Sequence, residues 1–457
     1  MVVQHNLQAM NANRMLNVTT GQQAKSTEKL SSGYKINRAA DDAAGLTISE
    51  KMRKQIRGLD QASTNAQDGV SSVQTAEGAL TEVHSMLQRM NELAVQASNG
   101  TNAESDRQAI QDEIDQLTTE IDRVSETTKF NETYLLKGEA GTKLINMKAH
   151  DAGLKGTLID NGDGTATFKM DTLNAGDKIS IGGKQYTIGS TADQAKALYA
   201  GVKVDGTETV TINGKEYKVQ DTTPNADKSE ISKADLDKLV KDGVTVEYKG
   251  KSATVITDDG KKGGAAGDGV DDLEPSIITD KKAYELASKE LLAANQIGDT
   301  ENSAKVTVGG KTDAVTLANA TNEFTINVGQ AKVANSLAFS LHVGADADMT
   351  NKIQVNIDSM DSASLGIKGL NVKDDSGKAA TYAVDAIADA VAKVSAQRSA
   401  LGAVQNRLEH TIDNLDNVVE NTTAAESRIR DTDMAEEMVN YSKNNILAQA
   451  GQSMLAQ

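Results

Sequence analysis

A few stretches of the sequence carry residue types that could do chemistry. Gly250-Lys251-Ser252 and Gly310-Lys311-Thr312 have the ending of a phosphate-binding loop, in which backbone N–H groups and a lysine hold phosphate oxygens. Such a loop needs an earlier glycine, and its positions hold Thr245 and Lys305. Both stretches therefore read as hairpin turns. Asp160-Asn161-Gly162-Asp163-Gly164 has the acidic spacing of a calcium loop, but Gly162 stands where a ligand oxygen is required and no glutamate closes the loop. The five histidines, at 5, 84, 150, 342 and 410, are not spaced as metal ligands on one helical turn, and no His-Glu-x-x-His occurs. Cysteine is absent, which leaves no disulfide, thiolate metal site or cysteine nucleophile. The residues imply no catalysis, no cofactor and no metal.

Composition narrows the remaining classes. At 457 residues the chain has room for about three domains. Tryptophan is absent and aromatic residues make up 3%, little for a large globular core. A net charge of −17 argues against nucleic acid and against an anionic membrane as partners. No apolar run approaches the ~20 residues of a membrane span. Met1-Val2-Val3-Gln4-His5-Asn6-Leu7 lacks the basic and apolar regions of a secretory signal. That blank fits a cytoplasmic protein or one exported by a dedicated machine.

The elements come from periodicity. From Ile48, an apolar stripe runs through Met52, Ile56, Leu59, Ala66, Val70, Val73, Leu80, Val83, Leu87, Met90, Ala94 and Ala97, broken only at Ser63. Alternating steps of three and four predict one helix over 46–98. At ~1.5 Å per residue it would be roughly 80 Å long, too long for the core of one compact domain. Ser98-Asn99-Gly100 stops it, and Ile110, Ile114, Leu117, Ile121 and Val124 predict a second helix, 103–127, folded back on the first. A third stripe, from Val384 and Ile387 through Leu401 and Leu408 to Leu415 and Val419, predicts a helix over 383–425. The only prolines, Pro224 and Pro275, lie between these stretches, so no helix is interrupted.

Residues 1–30 and the last 27 predict further helices, polar in part, with apolar residues on several faces. Such helices are marginal alone and are expected to become helical only in a polymer. Between about 140 and 338 the chain reads β-rich, with hairpin turns at Gly182-Gly183, Asn213-Gly214, Lys249-Gly250 and Gly309-Gly310. Short helices are expected at 191–200, 232–241 and 281–294, and the recurring order of hairpin then helix suggests a weak internal repeat. One more hairpin spans Leu341 to Ile357. The fold class expected is mainly α with a β-rich insertion: a long antiparallel helical bundle or coiled coil built from both chain ends, with an outer β-rich lobe between them. The expected domains are 1–44 with 431–457 as an inner terminal-helix domain, 45–140 with 339–430 as a helical bundle carrying a β-hairpin, and 141–338 as a surface-exposed variable domain of one or two lobes.

Both ends resemble bacterial flagellin, over roughly 1–138 and 339–457. The resemblance rests on Leu30-Ser31-Ser32-Gly33-Tyr34-Lys35-Ile36-Asn37, Ala40-Asp41-Asp42-Ala43-Ala44-Gly45-Leu46, Asn91-Glu92-Leu93-Ala94-Val95-Gln96 and Ile121-Asp122-Arg123-Val124. It rests further on Glu426-Ser427-Arg428-Ile429-Arg430-Asp431-Thr432-Asp433 and Ile446-Leu447-Ala448-Gln449-Ala450-Gly451. It implies a structural subunit that polymerises into the filament for motility, and not an enzyme. The paired terminal helices would form the innermost layer around a channel, the bundle the next tube, and the insertion would project outward. The resemblance also implies extracellular localisation after unfolded export by the flagellar type III system, without a cleaved signal peptide. The implied partners are further copies of the chain, an export chaperone, and the filament cap and hook-filament junction proteins. Candidate self-assembly residues are Leu7, Met10, Leu16, Met438, Ile446, Leu447, Met454 and Leu455. Flagellins usually continue beyond Met454-Leu455-Ala456-Gln457, so a shorter end would weaken contacts there, including those with the chaperone.

The stretch Gln88 to Gln96 resembles the segment by which flagellins engage Toll-like receptor 5. Arg89, Leu93 and Gln96 match it, and Glu113 matches its acidic partner on the second helix. The competing reading makes Arg89 and Glu113 an ordinary interhelix ion pair, with Leu93 at the edge of the buried stripe. Two other classes of protein compete with the filament subunit. A hook-filament junction protein would share the helical ends, and a secreted enzyme or carbohydrate-binding adhesin would place its activity in the middle lobe. The full Asp-Asp-Ala-Ala-Gly-Leu and Gln-Ala-Gly signatures favour the filament subunit, and the lobe has neither a catalytic cluster nor an aromatic platform.

Overall fold

The computed structural model describes residues 7–221, 229–259, 267–310, 313–374 and 377–456, with the backbone alone for Leu455 and Ala456. The helices are α1 (Leu7–Ser32), α2 (Ala43–Ala97), α3 (Glu104–Thr127), α4 (Ala192–Leu198), α5 (Lys233–Leu239), α6 (Asp280–Asn295), α7 (Ser362–Leu365), α8 (Lys378–Arg430) and α9 (Met434–Ala456). The apolar stripes thus locate α2, α3 and α8, with α8 longer at both ends than its stripe. The ends of the chain pair with one another and enclose a β-rich insertion, as the fold class required.

Contacts divide the chain into two compact units: Met1–Gln74 with Ala338–Asn356 and Ala400–Gln457, and Thr75–Leu337 with Ile357–Ser399. In the first unit α2 and α8 run antiparallel. Ser49 Oγ donates to Glu426 Oε1 at 2.7 Å, and Ser63 Oγ donates to Asp416 Oδ1 at 3.1 Å. Further along, Ala66 of α2 and Leu408 of α8 share a small core with Val343 and Ile353. Those last two belong to the hairpin region built on the strands Leu337–His342 and Lys352–Ile357. Gly69 lets the hairpin approach α2, since a Cβ there would collide with the Leu341 side chain. Ser63, the gap in the stripe, is buried because its hydroxyl is matched. Ile48, the stripe's first member, is instead 46% exposed.

In the second unit, α2 buries Val83, Leu87, Met90, Ala94 and Ala97, α3 buries Ile110, Ile114 and Ile121, and α8 buries Ile387 and Val394. The turn after α2 is held by Arg107, whose buried guanidinium donates from Nε to the Ala97 carbonyl at 3.1 Å. That carbonyl is one of those the helix end leaves without an intrahelical partner. Arg398 of α8 reaches Glu77 of α2 at 2.7 Å.

The insertion closes on itself at its base. Strand Glu139–Asn146 pairs antiparallel with Gln330–Asn335, Glu139 lying opposite Asn335. Beyond that pair lie two separate cores. One joins the four-stranded sheet of Gly156–Asp160, Thr165–Met170, Glu323–Asn327 and Lys305–Val308 to α6, with Phe168 and Phe324 stacked at 6.3 Å and Tyr284 edge-on. The other lies under a five-stranded sheet that includes Asp205–Ile212 and Thr245–Tyr248, and it buries Tyr199 and Leu236. Gly182-Gly183, Asn213-Gly214 and Lys249-Gly250 are hairpin turns as expected. Hairpin-then-helix order recurs at Lys178–Ile188 with α4 and at Asp205–Gln220 with α5. Lys311 and Thr312, which complete the second phosphate-loop resemblance, lie outside the described residues. Asp160 to Gly164 is also a hairpin turn, in which Asp160 and Asp163 spend carboxylate oxygens on the backbone N–H groups of Gly162 and Thr165.

At the ends of the chain α1 and α9 pair with each other as helices. The pairing is possible because the seam uses small residues: Ser26 and Ala448 are buried, and Gly451 lies under Leu16.

Leu87→Ala removes a fully buried side chain where three helical stretches supply the core. It should cost ~2–5 kcal/mol in equilibrium unfolding of the monomer, as for other large-to-small core changes. A loss no larger than that of an exposed-site change would place the core elsewhere.

Candidate functional site

The motifs that carry the family resemblance meet at the joint between the terminal helices and the long ones. Gly33, at φ +76°, ends α1 and turns the chain, a conformation side-chain-bearing residues rarely adopt. Its carbonyl accepts from Thr432 N at 3.0 Å, and Lys35 N donates to the Arg430 carbonyl at 2.7 Å, so the two crossings are pinned side by side. The Arg430 guanidinium lies 4.6 Å from the Tyr34 ring centroid and reaches Glu50 at 3.3 Å. Asp41 accepts from the Asn37 and Arg38 backbone N–H groups, which holds its carboxyl below the usual carboxylate range, chiefly through the Arg38 bond. Gly45 is required because a Cβ there would collide with Asp42 and Ile36. These residues tie the end of α1 to the end of α8 in one corner. The sequence gives the motifs but not their meeting, because Tyr34 and Arg430 are brought together from opposite ends of the chain.

Beyond the corner, α1 and α9 expose large apolar side chains. Leu7 is 76% exposed, Met10 66%, Met438 55%, Ile446 66%, Leu447 48% and Met454 70%. Leu16 is half-buried against Gly451, and the Leu455 side chain lies outside the described residues. Met15, Val18, Met434 and Val439 are exposed as well, and the sequence reading missed them. Their spread over several faces gives no single stripe, so periodicity could not separate them from the seam. Exposed leucine and methionine at this density mark an interaction surface.

The Arg89 strip is organised differently. Arg89 Nε donates to Glu113 Oε1 at 2.9 Å and Nη1 to Glu92 Oε2 at 3.2 Å, and these bonds, Glu113's first, raise the guanidinium's pKa. Both partners of the interhelix pair remain about half exposed, so the pair adds little to stability. Gln96 is exposed. Leu93 is not at an edge as expected: at 2% exposure it is part of the core. Arg89, Glu113 and Gln96 therefore form the surface, and Leu93 supports it from beneath.

Helical ends that pair with each other yet leave most of their large apolar side chains uncovered define a structural subunit built for self-association. Comparison with known proteins places it within that class. The model of the bacterial flagellin N-terminal helical region matches residues 3–140, and that of the bacterial flagellin C-terminal helical region matches residues 384–457. A flagellin of Clostridium tyrobutyricum is 38% identical over 460 aligned residues that span 100% of this chain and 98% of the relative. Flagellin B of Vibrio anguillarum is 35% identical, over 100% of this chain and 96% of the relative. A solved structure of FliC from Burkholderia pseudomallei has 20% identity over 74% of this chain and 99% of that one, with a TM-score of 0.26, too low to bear on the fold. The chain belongs to the bacterial flagellin family. It is a structural subunit of the extracellular flagellar filament, not an enzyme, and it self-polymerises in the service of motility.

Arg89→Ala removes an exposed, weakly coupled charge and should leave the thermal midpoint of the monomer essentially unchanged. Leu93→Ala opens a cavity in the core and should cost ~2–5 kcal/mol. Equal destabilisation by the two changes, followed by circular dichroism, would make Arg89 a structural residue.

Proposed function

We propose that the subunit assembles in layers. Residues 1–44 with 431–457 line the interior, 45–140 with 339–430 form the surrounding helical tube, and 141–338 project outward as the variable domain. The observation that carries this reading is the exposure of Leu7, Met10, Met438, Ile446 and Met454 on helices already paired with each other. Apolar surface that the chain cannot cover itself gains roughly 25 cal/mol per Å² when a neighbouring copy covers it. The fold also favours export as an unfolded chain by the flagellar type III system: no disulfide has to form or be broken, and the long helices need no covalent closure. Before export the same apolar helices require a cover, which is the role of an export chaperone. In the growing filament they meet the cap and junction proteins.

Recognition by Toll-like receptor 5 belongs to the same reading. What supports it is a half-exposed arginine beside an acidic residue on the neighbouring helix, with Gln96 exposed nearby; arginine is favoured among interface anchors. Leu93 would contribute by holding the strip's backbone in place.

Ile446→Asp together with Leu447→Asp should abolish filament growth from purified monomer while leaving monomer helicity intact, judged by electron microscopy and circular dichroism. Filaments of normal length would remove the terminal helices from the assembly interface. In receptor-bearing cells, Arg89→Ala monomer should signal much more weakly than the parent, and undiminished signalling would detach the receptor from this strip.

The insertion is tested separately. Deleting 140–334 and closing Glu139 to Asn335 through a short Gly-Ser link uses two residues that already lie opposite each other. The shortened chain should still form filaments, and a helical, soluble product that never polymerises would make the outer domain an assembly element.

A further inference from the structure

One lysine in the second unit serves none of these roles and borders two holes in the packing. Strands Glu139–Asn146 and Gln330–Asn335, together with α7 and α8, bound a cavity of about 360 Å³ whose walls include Ile145, Val333, Met360 and Leu365. A second cavity of about 300 Å³ shares Leu365, Lys393 and Ala396 with the first. Lys393 thus borders both. Its ammonium donates to the Ser364 carbonyl at 3.2 Å, a neutral acceptor. Lys143, which also lines the first cavity, is by contrast matched by the Ser336 hydroxyl at 2.8 Å and the Asp358 carboxylate at 3.5 Å. The buried hydroxyl of Ser364 has no hydrogen-bond partner among the described residues.

We propose that Lys393 is a site of covalent acylation by small activated acyl donors of the acyl phosphate class, with the acyl group housed in the larger cavity. Burial among apolar groups disfavours the ammonium and pushes its pKa down, against a smaller opposing effect of the Asp389 carboxylate. More of this amine than of a solvated lysine is therefore neutral near pH 7, and the neutral amine is the nucleophile. Its nitrogen lone pair attacks the acyl carbon and a C–N bond forms. The C–O bond to phosphate breaks, inorganic phosphate leaves with the electron pair, and the nitrogen's one surplus proton passes, through water, to the departing phosphate. The product suits the site better than the ammonium does. An amide keeps one N–H for the Ser364 carbonyl, carries no charge to desolvate, and offers a carbonyl oxygen to the unmatched Ser364 hydroxyl. A short acyl chain then meets Ile145, Val333 and Met360.

The test uses full-length monomer, limiting acetyl phosphate and peptide mass spectrometry, with the chain either folded or unfolded in urea. In the folded chain at about pH 7, Lys393 should be acetylated faster than in the unfolded chain, because burial lowers its pKa. The exposed Lys51 and Lys352 should react equally in both states. The Lys393 rate should also level off at a lower pH than theirs. Slower labelling of Lys393 in the folded chain at every pH would show the cavity closed to reagents and overturn the proposal. A ratio near unity would show an ordinary amine and overturn it equally.

Discussion

A helix of 55 residues with one apolar stripe cannot bury that stripe by itself, and the rest of the chain answers this constraint. Neighbouring sequence supplies only α3, 24 residues long, which covers part of the second unit. A partner of matching length has to come from somewhere, and the 53 residues of α8 provide it from the other end of the chain. Once α2 and α8 are antiparallel, both termini are committed to the same end of the pairing. Everything between them must leave and re-enter as an insertion, and the pairing of Glu139 with Asn335 is the physical form of that return. The polar bonds between the helices, Ser49 to Glu426 and Ser63 to Asp416, fix register rather than supply the main stabilisation. Bonds of this kind contribute about 0.5–1.5 kcal/mol each, against roughly 1.5–3 for each large side chain buried.

The terminal helices face the opposite situation. Their seam includes the small residues Ser26, Ala448 and Gly451, which let α1 and α9 approach closely but bury little apolar area. Close approach through small residues gives geometry at small energy, so the pair has a defined shape while most of its large apolar side chains stay in water. The corner at Gly33, Tyr34 and Arg430 fixes where α1 and α9 leave the long helices. A subunit with a larger seam would be more stable alone and would have less left to gain from its neighbours.

What the sequence made legible follows from how each feature is encoded. The long stripes were readable because every third or fourth residue repeats one decision, and the hairpin turns because Asn213-Gly214 or Gly182-Gly183 encodes a backbone conformation locally. Leu93 was misplaced by one step: with Met90 and Ala94 already on the stripe, a wider buried face was needed to include it, and the width of that face depends on how many helices pack there. Here α3 widens it. Exposed Met15, Val18 and Val439 could not be told from seam residues for the same reason, since only the partner's position decides which face is covered. The corner was visible as motifs and invisible as a contact, because hydrogen bonds between residues near 33 and 431 leave no periodic trace.

Lys393 shows the limit of local reading most clearly. On α8 it falls next to Val394, a buried stripe residue, where a lysine would ordinarily extend to water along the apolar surface. Here strands from both ends of the insertion and the short α7 lie across its path, so the side chain ends against the Ser364 carbonyl instead. Its environment is set by Ile145, Val333 and Leu365, residues that no helical or strand period on α8 could anticipate. The base of the insertion therefore alters the surroundings of a side chain on α8.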